Sequence, residues 1–147
     1  LTNRAAEENL QRLDWLLARF GGYFGATNYL GGKFSAESEA LSPVLARLSA
    51  LGVAYIDDTG AARRVIGEAP HTGAVNRVIP GGRGETAAAR DLAALETLAA
   101  RDGGALGKAY AFDDTITAIA DWADGLDDKK LALAPASSLL RPRRAGG

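Results

Sequence analysis

The sequence predicts an α/β protein of repeated strand–helix units around a parallel sheet. Two observations predict it. Short, nearly continuous apolar runs alternate with longer stretches of helical periodicity, and strands apolar on both sides are strands covered on both faces. Successive runs are also about one strand-plus-helix unit apart, the spacing that parallel crossovers require.

The elements follow in order. Residues 3–20 read as an amphipathic helix with Leu10, Leu13, Leu17 and Phe20 inward and Leu16 beside them. Thr2 or Asn3 is its expected cap, and Gly21-Gly22 end it. Residues 23–27 form a short buried strand that runs into a loop over 28–32. Ser35 is expected to cap a second helix over 36–51, which carries Leu41, Val44, Leu45 and Leu48. Pro43 lies too deep for a first-turn proline, so this helix starts late or kinks there.

Gly52 closes that helix, and residues 53–56 are a second buried strand ending in Asp57-Asp58-Thr59-Gly60. A short helix over 61–69 and a third strand over 74–79 come next. The glycine-rich loop 80–84 leads into a long helix over 85–101, with Leu92, Leu95, Leu98 and Ala99 on one face and Gly103-Gly104 as its stop. Residues 105–110 are a fourth strand and 113–124 a fourth helix with Ile116, Ile119, Ala120 and Ala123 inward. Residues 131–134 are a fifth strand, 137–140 a final turn, and 141–147 a loose basic tail.

Five strands in 147 residues are too few for an eight-unit barrel, which needs ~250 residues. The first helix has no strand before it. Either the sheet is small and open, or the first few strand–helix units are missing.

Composition excludes several functions. Seventeen basic residues against eighteen acidic ones give a net charge of -1, so no basic excess points to nucleic acid. The chain has no Cys, which rules out disulfides, thiol chemistry and Cys-ligated metal in it. No apolar run approaches the ~20 residues that span a bilayer.

In parallel strand–helix folds, chemistry gathers at the C-terminal ends of the strands. That rule selects Asn28 and Tyr29, Asp57 and Asp58, Lys108 and Tyr110, and the loop around Arg83. Two acids after an apolar strand can bind a metal, orient a base or hold sugar hydroxyls. They can equally form an Asx turn or cap, since Thr59-Gly60 follows. Asn28 can hydrogen-bond hydroxyls or acyl oxygens, and Tyr29 offers a sugar-stacking face; the alternative is a tight packed loop. Lys108 can stabilise charge electrostatically or simply reach out to water.

His71 is the single histidine and cannot build a multi-histidine metal site alone. The chain has no Gly-x-Ser-x-Gly elbow for a serine nucleophile. The Pro80-Gly81-Gly82-Arg83-Gly84 loop lacks the Gly-Lys-Ser/Thr ending of a phosphate loop.

Three segments together resemble the divergent polysaccharide deacetylase family, a branch of the NodB-type superfamily. Gly22-Tyr23-Phe24-Gly25-Ala26-Thr27-Asn28-Tyr29-Leu30-Gly31-Gly32-Lys33-Phe34 is similar to the family's Gly-x-x-Asn-[His/Tyr]-Met-Gly-x-x-Phe segment. Leu51-Gly52-Val53-Ala54-Tyr55-Ile56-Asp57-Asp58 is like its Gly-[Leu/Val]-x-[Phe/Tyr]-[Ile/Val]-Asp strand. The run from Ala105 to Leu140, with Thr115-Ile116 and Trp122, matches its closing part.

The resemblance implies a distorted barrel of about seven strand–helix units, with residues 1–140 as its C-terminal portion lacking the N-terminal strands and 141–147 as a flexible tail. It implies a hydrolase that removes acetyl groups from envelope glycans, in the periplasm or at the envelope, with zinc or another divalent metal held by an Asp and two His of the full-length family. Asn28, Tyr29 and Asp57 would line the cleft. The strand-end rule adds Tyr110 as a further sugar contact and offers Asp57, Asp58 and Lys108 as the catalytic candidates. Two positions depart from the pattern: Tyr29 stands where His is frequent, and Gly107-Lys108-Ala109 where Gly-His-Pro is frequent. A lysine is not the same general acid near neutral pH. A catalytically silent relative that binds glycan or a protein partner, and an unrelated small ligand-binding domain, are the competing readings.

Overall fold

A computed structural model describes residues 5–29, 32–67 and 69–140. The chain divides into two compact units, residues 1–74 with 140–147, and residues 75–139. The expected cap at Thr2 or Asn3, the Leu30-Gly31 part of the loop and the tail 141–147 lie outside the described residues.

The first unit contains α1 (Ala6–Leu17), β1 (Gly25–Thr27), α2 (Gly32–Ala36), α3 (Ser38–Ala50), β2 (Ala54–Asp57), α4 (Arg63–Ile66) and β3 (Thr72–Ala74). Its sheet runs β1-β2-β3 with both pairs parallel, Gly25 opposite Ala54 and Tyr55 opposite Thr72. A Cβ on Gly25 would stand 3.1 Å from the Ala54 Cβ and carbonyl oxygen, so glycine lets β1 lie this close to β2. The core joins Leu41, Leu45 and Leu48 of α3 to Val53, Tyr55, Ala62 and Ile66, with Leu13 and Leu17 of α1 packed against it.

Helix α3 ends in a Schellman arrangement. Gly52 has φ +75°, the Val53 N–H reaches the Leu48 carbonyl at 2.9 Å and the Gly52 N–H reaches Ser49 at 3.1 Å. Pro43 is accommodated inside the helix.

The second unit contains β4 (Arg77–Ile79), α5 (Glu85–Asp102), β5 (Gly107–Ala109) and α6 (Asp113–Asp124), with 3-10 turns at Asp127–Lys129 and Ala136–Leu139. β4 and β5 pair in parallel, Arg77 opposite Gly107. Ile79, Ala88, Leu92 and Ala118 form its core, with Ile119 and Trp122 against them. Asp91, almost fully buried, is paired with Arg77. A buried carboxylate needs such a partner. Parallel sheets and repeated strand–helix units are thus what the chain builds. Among the described residues no helix is long and apolar enough to cross a membrane.

Several local expectations are corrected. Helix α1 is shorter than 3–20 and has Ala5 at its N-cap; Phe20 falls beyond its end and is 73% exposed, and Leu16 is exposed too. Ser35 caps nothing. It sits buried inside α2, where its hydroxyl accepts a hydrogen bond from Asn28, and Glu37 is the N-cap of α3.

The single strand expected over 74–79 is two strands in two sheets, parted at Val75-Asn76. The Asn76 side-chain oxygen accepts from the Leu106 N–H at 2.9 Å, replacing a ladder bond by a side-chain bond. In α6 the inward stripe is Thr115, Ala118, Ile119 and Trp122; Ile116 is 55% exposed, so the expected phase was one residue off. Residues 131–134 are not a strand, and Leu133 is 65% exposed.

Candidate functional site

β1 and β2 end side by side. Because Thr27 is opposite Ile56, the next residues, Asn28 and Asp57, meet at the C-terminal edge of the pair. The sequence rule for parallel strands therefore finds a real cluster here.

Asp57 is fully buried. Its Oδ1 accepts from the Thr59 N–H at 3.2 Å, the Gly60 N–H at 3.1 Å, the Thr59 hydroxyl at 3.2 Å and Asn28 Nδ2 at 2.9 Å. Its Oδ2 accepts from the Ala62 N–H at 3.0 Å. This is the turn-and-cap use of an aspartate, the bland reading of the acidic pair. The carboxylate folds the β2–α4 connection around itself, and charge-assisted bonds of this kind are the strong ones.

Asn28 spends its amide inside the protein as well. Nδ2 donates to Asp57 Oδ1, to Ser35 Oγ at 3.1 Å and to Thr59 Oγ1 at 3.1 Å, while Oδ1 accepts from the Asp58 N–H at 2.7 Å. These partners fix the amide orientation: turned over, its oxygen would face the Asp57 carboxylate and its NH2 the Asp58 N–H. Asn28 thus pins the end of β1 to the end of β2. Asp58 is buried, and Tyr29, next along the loop, is 73% exposed. The cluster therefore has an interior of committed polar groups and an exposed aromatic residue beside it.

Tyr55 was not singled out from sequence, although strand alternation puts it on the same face as Asp57. Burial holds its phenol pKa above the ordinary value. The Ser35 hydroxyl opposes that shift, and the Asp57 and Asp58 charges add to it. Ser35 and Thr59 were missed as members of this cluster for a different reason. Their residue types signal caps and turns, and nothing in their spacing announces a shared partner 7 or 31 residues away in sequence.

Lys108 and Tyr110 belong to the second unit. Lys108 is the middle residue of β5, half-buried, and its Nζ stands 5.1 Å from the centroid of the Tyr110 ring, which is 41% exposed. A cation at that distance is attracted to the ring face.

The glycine-rich loop is filled from within. Asp114 of α6 accepts from the Gly82 N–H at 3.2 Å and the Gly84 N–H at 2.7 Å. The Gly82 and Gly84 amides are the leading causes that hold its carboxyl below the usual carboxylate range. The Phe112 ring occupies the space a Cβ on Gly81 would need. The amides a phosphate would use are taken by the protein's own Asp114 carboxylate. Arg83 is exposed on this loop.

His71 adopts φ +59° and is half-buried; its backbone carbonyl accepts from the Tyr55 N–H at 3.1 Å, at the N-terminal end of the sheet, away from Asp57. Zinc or another divalent ion finds no ligand set among the described residues: no group of three or more His, Cys, Asp or Glu is gathered there. Asp57 already uses both of its oxygens.

Residues 1–140 match the family described as divergent polysaccharide deacetylase, and the chain belongs to that family. No curated protein matches the sequence. The chain is similar to the crystal structure of the uncharacterized protein ATU2773 from Agrobacterium tumefaciens C58, at 32% identity and a TM-score of 0.80. The match covers 93% of this chain and 58% of that one, so the chain spans a little over half of its neighbour's length.

Proposed function

We propose that the chain forms part of a distorted strand–helix barrel and contributes a glycan-binding rim to a carbohydrate deacetylase acting on acetylated envelope glycans. A periplasmic or envelope location goes with that substrate. Family membership supports the reaction class. The observation that carries the reading is the Asn28–Asp57 cluster, which holds the exposed Tyr29 at the C-terminal edge of the sheet.

The residues divide their roles by exposure. Asp57 is out of reach of a substrate and acts as a positioning residue: it fixes the turn and Asn28. Asn28 has its donors and acceptor engaged and serves the same end. Tyr29 offers a flat apolar face with a polar tip, the surface on which a pyranose ring stacks while its hydroxyls stay hydrated. Asp58, buried like Asp57, is proposed as a second positioning carboxylate next to the cluster. In the second unit, Lys108 and Tyr110 are proposed as an electrostatic and a stacking contact. Removing an acetyl group also needs an activated water and a general acid, and neither role is assigned among the described residues.

The test is acetate release from a chitooligosaccharide and from peptidoglycan by the intact protein, with oligosaccharide binding measured in parallel. Release that saturates with substrate supports the deacetylase. Absence of both release and binding, in folded and metal-supplemented protein, contradicts it.

A further inference from the structure

At the end of the first unit opposite the Asn28–Asp57 cluster, α1 and α3 finish and the chain enters β1 and β2. Asp14 and Leu17 lie in the last turn of α1, Arg47 in the last turn of α3, and Leu51 directly after it. Tyr23 comes shortly before β1 and Val53 immediately before β2. These six residues line an open recess of about 370 Å³. That size falls within the ~300–1,000 Å³ of small-ligand sites.

The polar groups of the recess are held in place. Arg47 Nε donates to Asp14 Oδ1 at 2.8 Å and Nη2 donates to Oδ2 at 3.0 Å, a two-bond pairing that fixes both planar groups relative to each other. The pairing leaves Nη1 and a second lone pair on each carboxylate oxygen for other partners. The Arg47 and Asp14 side chains are 41% and 42% exposed, so a ligand can reach those groups. A pair this exposed adds little to stability. Beside it, the Tyr23 hydroxyl donates to the Leu17 carbonyl at 2.9 Å, which ties the ring to the end of α1 while the residue stays exposed. Leu51, also exposed, and Val53 add apolar surface.

Charge decides the class of ligand. An arginine standing alone would attract an anion. Here Asp14 neutralises it, and the recess presents donors and acceptors together without net charge. Hydroxyl and amide groups both donate and accept, so they match such a pair. An amphipathic aromatic ring beside them suits the apolar face of a pyranose. We propose that this recess is a second saccharide subsite, taking one or two units of a neutral glycan with a sugar ring on Tyr23 and its hydroxyls or amide on Asp14 and Arg47. The ligand class rests on the glycan reading above; the place does not, because the recess and Tyr29 stand at opposite ends of the sheet. An open recess admits an internal unit of a long chain, and a second contact strengthens the hold on polymer through effective concentration. With one exposed ring it is the weaker of the two contacts, with a dissociation constant on the order of 1 mM for a short oligosaccharide.

Amide chemical-shift mapping of the intact protein with a chitooligosaccharide at millimolar concentration tests this. The expected result is saturable shifts at Asp14, Leu17, Tyr23, Arg47 and Leu51 as well as around Tyr29, with the recess shifts kept in Tyr29→Ala. Tyr23→Ala should weaken the recess at least about tenfold and leave the shifts around Tyr29 in place. The double variant Asp14→Ala with Arg47→Ala, which leaves no unpaired charge, should do the same. Tyr23→Phe keeps the ring and should keep most of the binding. Shifts around Tyr29 with none in the recess overturn the subsite and leave the glycan reading standing. Shifts at neither place overturn both. Shifts in the recess alone support the subsite and remove the rim. Recess shifts that survive in Tyr23→Ala and in the double variant alike overturn the assignment to these side chains.

Discussion

At the end of β2, Asp57 is fully buried and binds three backbone amides, a hydroxyl and a carboxamide. After β4, Asp114 binds the Gly82 and Gly84 amides from the surface. Both carboxylates organise the loop that follows a parallel strand. In the first unit the acid belongs to the strand itself and is locked to its neighbour strand by Asn28. In the second it comes from α6, 30 residues away from Gly84 in sequence, and its hydrogen bonds to the loop are exposed. The difference teaches that an acid at a strand end is not a catalytic signal by itself. Its burial and its donors decide whether it builds a rim or meets a ligand.

Substitutions should separate the two loops by size of effect. Asp57→Ala is the largest: it orphans the buried Ala62 amide and leaves the part-buried Thr59 and Gly60 amides without their carboxylate, and should cost about 2–4 kcal/mol, read as a lower urea midpoint. If the loss is under about 1 kcal/mol, the buried hub is not the structural element described here. Asn28→Ala should follow at about 1–3 kcal/mol, because it frees the Asp58 amide and one side of Asp57.

Asp114→Asn should have a smaller effect, screened by solvent, with a definite pH signature. The folded carboxyl titrates below its ordinary value of 3.8, so its contribution is present above that value and is lost as pH falls through the lower folded value. The variant should therefore lose stability near neutral pH and show a flatter acid limb, as followed by urea midpoints at neutral pH and in acid. Equal slopes for the two proteins would sever the link between Asp114 and the glycine loop. Tyr29→Ala should be the smallest in stability, within about 0.5 kcal/mol, because the ring is exposed.

Much of this contrast was legible in the sequence. The strand-end rule chose Asn28, Asp57 and the Arg83 loop, and the glycines and leucines marked α5 well because a long amphipathic helix repeats its signal many times. The failures have physical causes. Ser35 has the residue type of a cap, and only tertiary contact with Asn28 reveals its use. The run 74–79 is uniformly strand-like, and a side-chain bond at Asn76 to Leu106 marks the place where it divides. Residues 131–134 carry a correct pattern without a partner strand, since pattern specifies a face and not a neighbour. The sites are less legible than the fold because Asp57 as a cap and Asp57 as a catalyst have the same letters. Only counting its donors tells them apart.

Isothermal titration of a chitooligosaccharide into the intact protein, wild type against Tyr29→Ala, tests the central claim most directly. The expected result is measurable binding that weakens about tenfold, ~1.4 kcal/mol, in the variant while the urea midpoint stays in place. Equal affinity in the two proteins would contradict the assignment of Tyr29 as the sugar-facing residue of a rim built by Asn28 and Asp57.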